Sequence, residues 1–430
     1  MNNVVPPLAP EQLAEKFAEI HPPFTSQEAV VEANRCLFCY DAPCSGACPT
    51  HIDVPRFIKK IATGNVRGSA MTILDPNILG LSCSRVCPVD VLCEGACVMH
   101  RYNKEPIEIG RLQRHAMDHF YANGAKLSTA ADRRGRVACI GAGPASLACA
   151  AELRRSGGHG VTVFEARERA GGLNTYGVAE YKFRPVDSEK EIGLIRSLGV
   201  EFRTGVQVGS DVTLDALEAE FDIVFVGVGL GPTQALGIEG EKQPGVVDAV
   251  TFIAEYKTGT PRVGRRVVVI GGGNTAIDAA CAARRLGAEE VTIVYRRAEP
   301  DMPAFRFEYE HAKRDGVRFA WNTVPLAIKE DRIECRNKSG DLFYLCDMVI
   351  LSIGQSKLFR TLAESRGIAV ESGRVQVDPA TGQTTNPRYF AGGDCVNGGR
   401  EVVDAVAEGT RAGKAITARL GESHGRTTVL

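Results

Sequence analysis

Charge of one sign is scarce in this 430-residue sequence: 51 Lys and Arg stand against 52 Asp and Glu, leaving a formal net charge of −1. That balance supplies no electrostatic footprint for nucleic acid or an anionic membrane, so small molecules or another protein are the expected partners. Long apolar runs are missing too, and no segment is expected to span a bilayer. The opening residues MNNVVPPLAPEQ carry neither the basic start nor the apolar stretch of a secretory signal, so a cytoplasmic location is expected. No C-x-x-C or C-x4-C pair follows Cys97, which excludes a reductase that ends in a protein dithiol.

What is plentiful is cysteine, with 14 in all, eight of them in one stretch. They read Cys36-x-x-Cys39-x4-Cys44-x3-Cys48-Pro49, then Cys83-x3-Cys87-Pro88-x4-Cys93-x3-Cys97. In a reducing compartment such clustering points to metal or redox chemistry rather than to disulfides. Structural zinc also uses C-x-x-C pairs. Cysteines followed by proline instead favour iron–sulfur ligation, in which the last cysteine of a run serves the other cluster. Cys36, Cys39 and Cys44 can wrap three corners of a cubane, after which Pro49 and Pro88 help turn the chain away. Arg35, Arg56, Lys59, Lys60, Arg67 and Arg85 either offset the negative charge of a cluster or form an ordinary solvated face. His115 and His119 share a helix face but read as exposed helix residues, and the six scattered cysteines as core.

Downstream of Arg136 the pattern changes to strand, glycine turn, helix, strand and acid. Val137–Ile140 leads into Gly141-Ala-Gly143-Pro144-Ala-Ser146, then a helix from Leu147, the strand Val161–Phe164, and Glu165. This is the order of a dinucleotide-binding βαβ unit, in which phosphates sit at the helix N-terminus and the acid holds ribose hydroxyls. The pattern recurs at Val267–Ile270, Gly271-Gly-Gly273-Asn274-Thr275-Ala276, a helix through Leu286, and the strand Val291–Tyr295. Here Arg296 and Arg297 replace the acid, which suits the 2′-phosphate of NADP better than NAD. Two such units in register, with different chemistry at the second strand, imply two nucleotides. Gly172 and Leu173, and the glycine-ended runs closing at Gly229 and Gly354, are further candidates for nucleotide contact.

Near the C-terminus, Tyr389-Phe-Ala-Gly-Gly393-Asp394 precedes a helix beginning near Val402. A strand, a Gly-Gly-Asp turn and a helix N-terminus this far from the first fingerprint predict that the tail completes the first nucleotide domain and that the second is an insertion. The expected fold is α/β, with two Rossmann-like nucleotide-binding domains, the second inserted in the first, and an α-helical cysteine-rich domain before them. The resemblance given below implies that these are an NAD(P) domain inserted in an FAD domain, preceded by a domain with two [4Fe-4S] clusters. The expected boundaries are 1–130 for the iron–sulfur domain, 131–258 and 359–430 for the FAD domain, and 259–358 for the NAD(P) domain.

Several stretches carry a family resemblance: Cys36-Leu-Phe-Cys39-Tyr-Asp-Ala-Pro-Cys44, Cys83-Ser-Arg-Val-Cys87-Pro, Pro106-Ile-Glu-Ile-Gly-Arg-Leu-Gln113, Gly141-Ala-Gly-Pro, Gly271-Gly-Gly-Asn-Thr-Ala-Ile-Asp278 and Ala391-Gly-Gly-Asp394. Over nearly its full length the chain resembles the flavin subunit of bacterial two-subunit dihydropyrimidine dehydrogenase. It also resembles the N-terminal half of the single-chain eukaryotic enzyme and, more distantly, the small subunit of glutamate synthase. The resemblance implies one [4Fe-4S] cluster on Cys36, Cys39, Cys44 and Cys97. A second is implied on Cys48, Cys87, Cys93 and Gln113, with Cys83 a spare thiol. Glutamate synthase small subunits typically carry an acid at the glutamine position. Some NADH-using bacterial subunits carry an acid where this chain has Arg297.

The implied activity is oxidation of NAD(P)H through FAD, with electrons passing along the clusters to an FMN- and iron–sulfur-containing subunit that reduces uracil or thymine. After the cysteine module about 300 residues remain, enough for two nucleotide domains but not for an added barrel of about 250 residues. The pyrimidine site is therefore expected on the partner. The alternatives are a glutamate synthase small subunit or another ferredoxin:NAD(P) oxidoreductase-type complex, and a zinc-binding assembly protein without catalysis.

Overall fold

The computed structural model describes residues 4–6, 8–132, 135–259, 261–356 and 363–425. Packing divides the chain into two compact units: Met1–Ile20 with Thr175–Pro185 and Gly231–Ser356, and His21–Asn174 with Val186–Leu230 and Lys357–Leu430. The expected boundary between residues 358 and 359 lies outside the described residues.

The larger unit begins with the cysteine module, whose short helices start where polar side chains cap them. Thr25 caps Ser26–Asn34 in a reciprocal box with Glu28, the Thr25 hydroxyl accepting from Glu28 N at 3.2 Å and the Glu28 carboxylate from Thr25 N at 2.8 Å. Asp53 caps Val54–Ala62, which buries Val54, Phe57, Ile58 and Ile61. Asn65 caps Val66–Leu74, its side-chain oxygen accepting Gly68 N–H at 2.9 Å. The Ile109–Ala122 helix buries Leu112, Gln113, Ala116, Met117 and Phe120 at three-to-four spacing.

The same unit holds a five-stranded sheet ordered Tyr389–Ala391, Ile223–Val226, Arg136–Ile140, Gly160–Glu165 and Glu201–Thr204, and its pairings are parallel. Tyr389 pairs with Val224, so the tail supplies an edge strand of the first nucleotide fold, as the Gly-Gly-Asp turn predicts. The terminal helix Val402–Gly425 then packs along the fingerprint helix Pro144–Glu152. A side chain at Gly409 would put its Cβ 2.0 Å from the Ala145 carbonyl oxygen, so this crossing requires glycine.

The other unit is built on a second parallel sheet, ordered Val246–Asp248, Met348–Leu351, Arg266–Ile270, Glu290–Val294 and Arg318–Ala320. Its three central strands are rich in Val and Ile, as expected for a sheet covered on both faces. An antiparallel three-stranded sheet, Val324–Ile328, Arg332–Asn337 and Gly340–Leu345, lies between two of its strands in sequence. The N-terminal residues join this unit rather than the cysteine module with which residues 1–130 were grouped. Phe17 is apolar and finds aromatic partners here, its ring centroid 5.4 Å from that of Tyr256, and Val5 N donates to the Val263 carbonyl at 2.9 Å.

Candidate functional site

The cysteines separate into two neighbourhoods. Cys36, Cys39, Cys44 and Cys97 line one pocket with walls from Pro43, Val54, Ile58 and Ile107. Cys97 comes from the far end of the motif and is brought there by the turn preceding Val98–Tyr102. Cys87 has its pKa raised by a hydrogen bond with the Cys83 thiol, then by burial, then by Cys83, Cys93 and Cys48 nearby. These four sulfurs therefore share the second neighbourhood. Burial pushes Cys44 up to about 11 and raises Cys93 as well, so cations must be present for these thiols to serve as thiolates.

Gln113 is buried, and its side-chain N–H donates to the Gly80 carbonyl at 2.8 Å, on the helix Gly80–Val86 that carries Cys83 and leads into Cys87. Among the described residues no three of the clustered sulfurs lie within 4.8 Å of one another. A single tetrahedral zinc with bonds of about 2.3 Å would draw its sulfurs to roughly 3.8 Å apart. The wider spacing and apolar wall fit a multi-iron cluster, whose chemistry when bound is one-electron transfer.

In the same unit the glycine turn forms a cradle. Gly141 has φ of +86°, and a Cβ there would lie 2.6 Å from the Gly227 carbonyl oxygen. Gly143 precedes Pro144 at the helix start, where no side chain caps the free N–H groups. The buried Ser146 hydroxyl has no partner among the described residues. An uncapped helix start beside an orphan hydroxyl fits the pyrophosphate of a dinucleotide. Glu165 ends its strand and accepts Ala142 N–H at 2.8 Å and Arg167 N–H at 2.9 Å, one on each carboxylate oxygen.

Gly172, at φ +56°, approaches Gly143 so closely that a Cβ would lie 2.8 Å from the Gly143 Cα, and Leu173 beside it is exposed. On the tail, Gly393 has φ +78° and donates its N–H to Glu408 at 2.6 Å. Asp394 accepts Arg400 N–H at 3.3 Å, while burial holds its pKa above the usual carboxylate value. Val402 begins the terminal helix, and Gly229 has φ +67° with open space where a Cβ would stand.

The second cradle repeats the design in the other unit. Gly273 stands at the uncapped start of the helix Asn274–Arg285, with nothing within 4 Å of where a Cβ would be. Asn274 is held by the backbone, its side-chain oxygen accepting Phe305 N–H at 2.9 Å, and Thr275 is half-buried beside it. Arg296 and Arg297 follow the strand Glu290–Val294, are exposed, and make no ion pair among the described residues. Two unspent guanidinium groups at a strand end suit an added phosphate. Gly354, at φ +99°, follows the strand Met348–Leu351.

Sequence reading missed the buried polar groups. Lys182 lies 2.6 Å from Asp278 and 2.5 Å from Glu308, with the Tyr181 hydroxyl donating to Asp278 at 3.0 Å. Burial works against the Lys182 charge, but the two carboxylates outweigh it and raise its pKa. Cys281, His311 and Asp315 bring three ligand atoms within 4.8 Å of one another. Arg285 already lies 2.9 Å from His311 and 2.7 Å from Asp315, so its guanidinium supplies the positive charge there. All six scattered cysteines are buried.

Residues 135–409 match the pyridine nucleotide-disulphide oxidoreductase family, and residues 13–125 match the family described as dihydropyrimidine dehydrogenase domain II, 4Fe-4S cluster. The chain belongs to the pyridine nucleotide-disulphide oxidoreductase family. Within it, the glutamate synthase [NADPH] small chain of Halomonas elongata is 36% identical, covering 94% of this chain and 93% of its own. The NAD-dependent dihydropyrimidine dehydrogenase subunit PreT of Escherichia coli is 35% identical, over 93% of this chain and 96% of PreT. Among solved structures, Mycobacterium tuberculosis FprA in complex with NADPH shares the fold at a TM-score of 0.56 and 18% identity, covering 69% of this chain and 86% of FprA. This family member is thus an NAD(P)-dependent flavin and iron–sulfur oxidoreductase, with FAD, NAD(P)H and [4Fe-4S] as its cofactors. No described helix is long and apolar enough to cross a membrane.

Proposed function

We propose that this chain is the electron-input subunit of a dihydropyrimidine dehydrogenase, with a partner subunit carrying FMN and iron–sulfur centres that reduces uracil or thymine to the 5,6-dihydropyrimidine. The observation that carries this reading is Gln113, a buried amide whose N–H is spent on Gly80, on the helix that carries Cys83 and leads into Cys87. The resemblance places a glutamine ligand there for the dihydropyrimidine enzymes and an acid for glutamate synthase. In this reading Cys36, Cys39, Cys44 and Cys97 hold one cluster; Cys48, Cys87, Cys93 and Gln113 hold the other.

The glycine turn Gly141–Ser146, Glu165, Gly172, Leu173, Gly229, Gly393, Asp394 and Val402 position FAD. Gly273, Asn274, Thr275, Arg296, Arg297 and Gly354 position NAD(P)H. A bound flavin converts a two-electron hydride into single electrons, which is the chemistry the clusters need. The side chains bind and orient, and none is required as an acid or base toward the nicotinamide. The domain division into 1–130, 131–258 with 359–430, and 259–358 belongs to the same reading, with Met1–Ile20 packed in the unit of the second nucleotide fold. The glutamate synthase alternative is supported by the 36% identity to the Halomonas small chain.

The purified chain is expected to oxidise NAD(P)H with ferricyanide but not with uracil, and uracil reduction is expected only with its co-purifying partner. Uracil reduction by the single chain would overturn the division of labour. A co-purifying partner that converts glutamine and 2-oxoglutarate to glutamate would decide for the alternative.

A further inference from the structure

Inside the larger unit a carboxylate is buried between the cysteine helix and the flavin motif. Glu191, on the helix Pro185–Ser197, is 1% exposed. It accepts the Ser82 N–H at 3.0 Å on one oxygen and the Ser82 hydroxyl on the other. The Ser82 hydroxyl oxygen in turn accepts the Asn174 side-chain N–H at 2.8 Å. Ser82 immediately precedes Cys83 in the helix leading into Cys87, and Asn174 immediately follows Gly172 and Leu173. The carboxylate therefore bridges the segment that presents a cluster and the segment read as touching FAD.

No ion pair among the described residues neutralises Glu191. Arg85, the nearby cation, points its guanidinium to Asp118 at 2.5 Å. From the Ile109–Ala122 helix comes Tyr121, whose buried hydroxyl has no partner among the described residues and whose pKa burial and then the Glu191 charge raise. A carboxylate desolvated in this way, with hydrogen bonds but no salt bridge, is poised to exchange a proton. Burial pushes its pKa up to about 7 even though the Ser82 hydrogen bonds and Arg85 pull it down.

Electron transfer from flavin to clusters creates the need for such a group. Oxidising the reduced flavin anion releases two electrons and one proton. Two clusters accept the electrons, one each, but not the proton, and each gains a negative charge in a region of low dielectric.

We propose that Glu191 is the proton-coupling residue of this electron transfer: its carboxylate takes the one proton released as two electrons pass from the flavin to the clusters, and gives it up as they leave for the partner. The step balances, since one flavin-borne proton becomes one carboxyl proton and two electrons reduce two clusters. The Ser82 hydroxyl, which donates to the Glu191 carboxylate, is the group through which the proton reaches and leaves it. The inference rests on the flavin and cluster reading given above.

By linkage, a proton that follows the electron makes the cluster potential depend on pH, and reduction makes the carboxyl harder to ionise. In the cofactor-loaded protein, midpoint potentials of the clusters would be followed by electron paramagnetic resonance from pH 6 to pH 9. The wild type is expected to show one cluster whose potential falls with pH, approaching the one-electron value of about 59 mV per tenfold change in proton concentration. In Glu191→Gln, which keeps the acceptor for Ser82 N–H but cannot titrate, the slope should vanish, and a carboxyl band in the reduced-minus-oxidised infrared spectrum should vanish with it. Ser82→Ala removes a hydrogen bond to the charged form and should move the pH window upward. A flat wild-type profile, an equal slope in Glu191→Gln, or an unmoved window in Ser82→Ala would overturn the proposal. Flavin and iron content, measured on the same wild-type samples, separate its failure from failure of the underlying reading: absent cofactors would sink the latter.

Discussion

The Glu165 carboxylate accepts the backbone N–H of Ala142 at 2.8 Å, so the acid that ends the second strand braces the glycine turn at the end of the first. Its other oxygen accepts Arg167 N–H at 2.9 Å, which fixes the carboxylate plane and leaves lone pairs on both oxygens for ribose hydroxyls. Glu165→Gln turns an N–H toward one of these backbone donors and loses the charge. Its FAD dissociation constant should rise by roughly tenfold or more, in line with the ~1.5–3 kcal/mol of hydrogen bonds to a charged group. Flavin fluorescence on serial dilution reads this directly, and unchanged retention of FAD would remove Glu165 from the site.

Cys83 and Gln113 compete for one role. With Gln113 as ligand, Gln113→Ala should lower iron from about eight to about four per chain, while Cys83→Ala keeps about eight, as counted for two cubanes. Iron and sulfide analysis with electron paramagnetic resonance of the reduced protein distinguishes the two. Loss of a cluster in Cys83→Ala, with Gln113→Ala intact, would restore an all-cysteine site.

Arg297 is exposed after its strand and makes no ion pair among the described residues, so its charge is available to a ligand phosphate. Arg297→Glu places a carboxylate where the 2′-phosphate of NADP would lie. The ratio of kcat/KM for NADPH over NADH, with ferricyanide as acceptor, should fall by about tenfold or more, equivalent to roughly 1.4 kcal/mol. An unchanged ratio would place the phosphate elsewhere.

His311 is held neutral. Burial, opposed by Asp315 and aided by Arg285, lowers its pKa from 6.5 to about 4. The folded protein therefore binds fewer protons than the unfolded chain between these values. The resulting stability is fully present above pH 6.5 and is lost as pH falls toward 4. Glu94 and Glu191, each pushed up to about 7 chiefly by burial, act with the opposite sign, losing stability as pH rises from their usual range toward 7. The comparison is therefore between thermal midpoints of the wild type and His311→Asn across pH 4 to 7. The gap between them should change with pH, and parallel curves would exclude the ring as the source.

Local geometry explains what was readable without the fold. A turn that needs φ of +86° at Gly141 and tolerates no Cβ there demands glycine, so the fingerprint is written in the residues themselves. The same is true of Val/Ile strands flanking it and of cysteine runs spaced to wrap a cluster. The tail's return was also legible, because the strand and Gly-Gly-Asp turn at residues 389–394 need a sheet to join.

The position of the first twenty residues was not legible. Their short helix is only weakly patterned, and Phe17 could satisfy its apolar demand in either unit until Tyr181 and Tyr256 are seen beside it. Lys182 with Glu308, 126 residues apart, and Ser82 with Glu191, 109 apart, were equally hidden.

The sequence by itself determined the two nucleotide cradles and the presence of a cysteine-rich electron-transfer module. Backbone conformation, strand burial and ligand spacing act over a few residues and leave their mark in residue type. Tertiary structure alone decided which thiols share a cavity, which helix Gln113 faces, and where Glu191 is buried. Desolvation requires that a buried polar group find a partner, but it does not specify which distant residue that partner is.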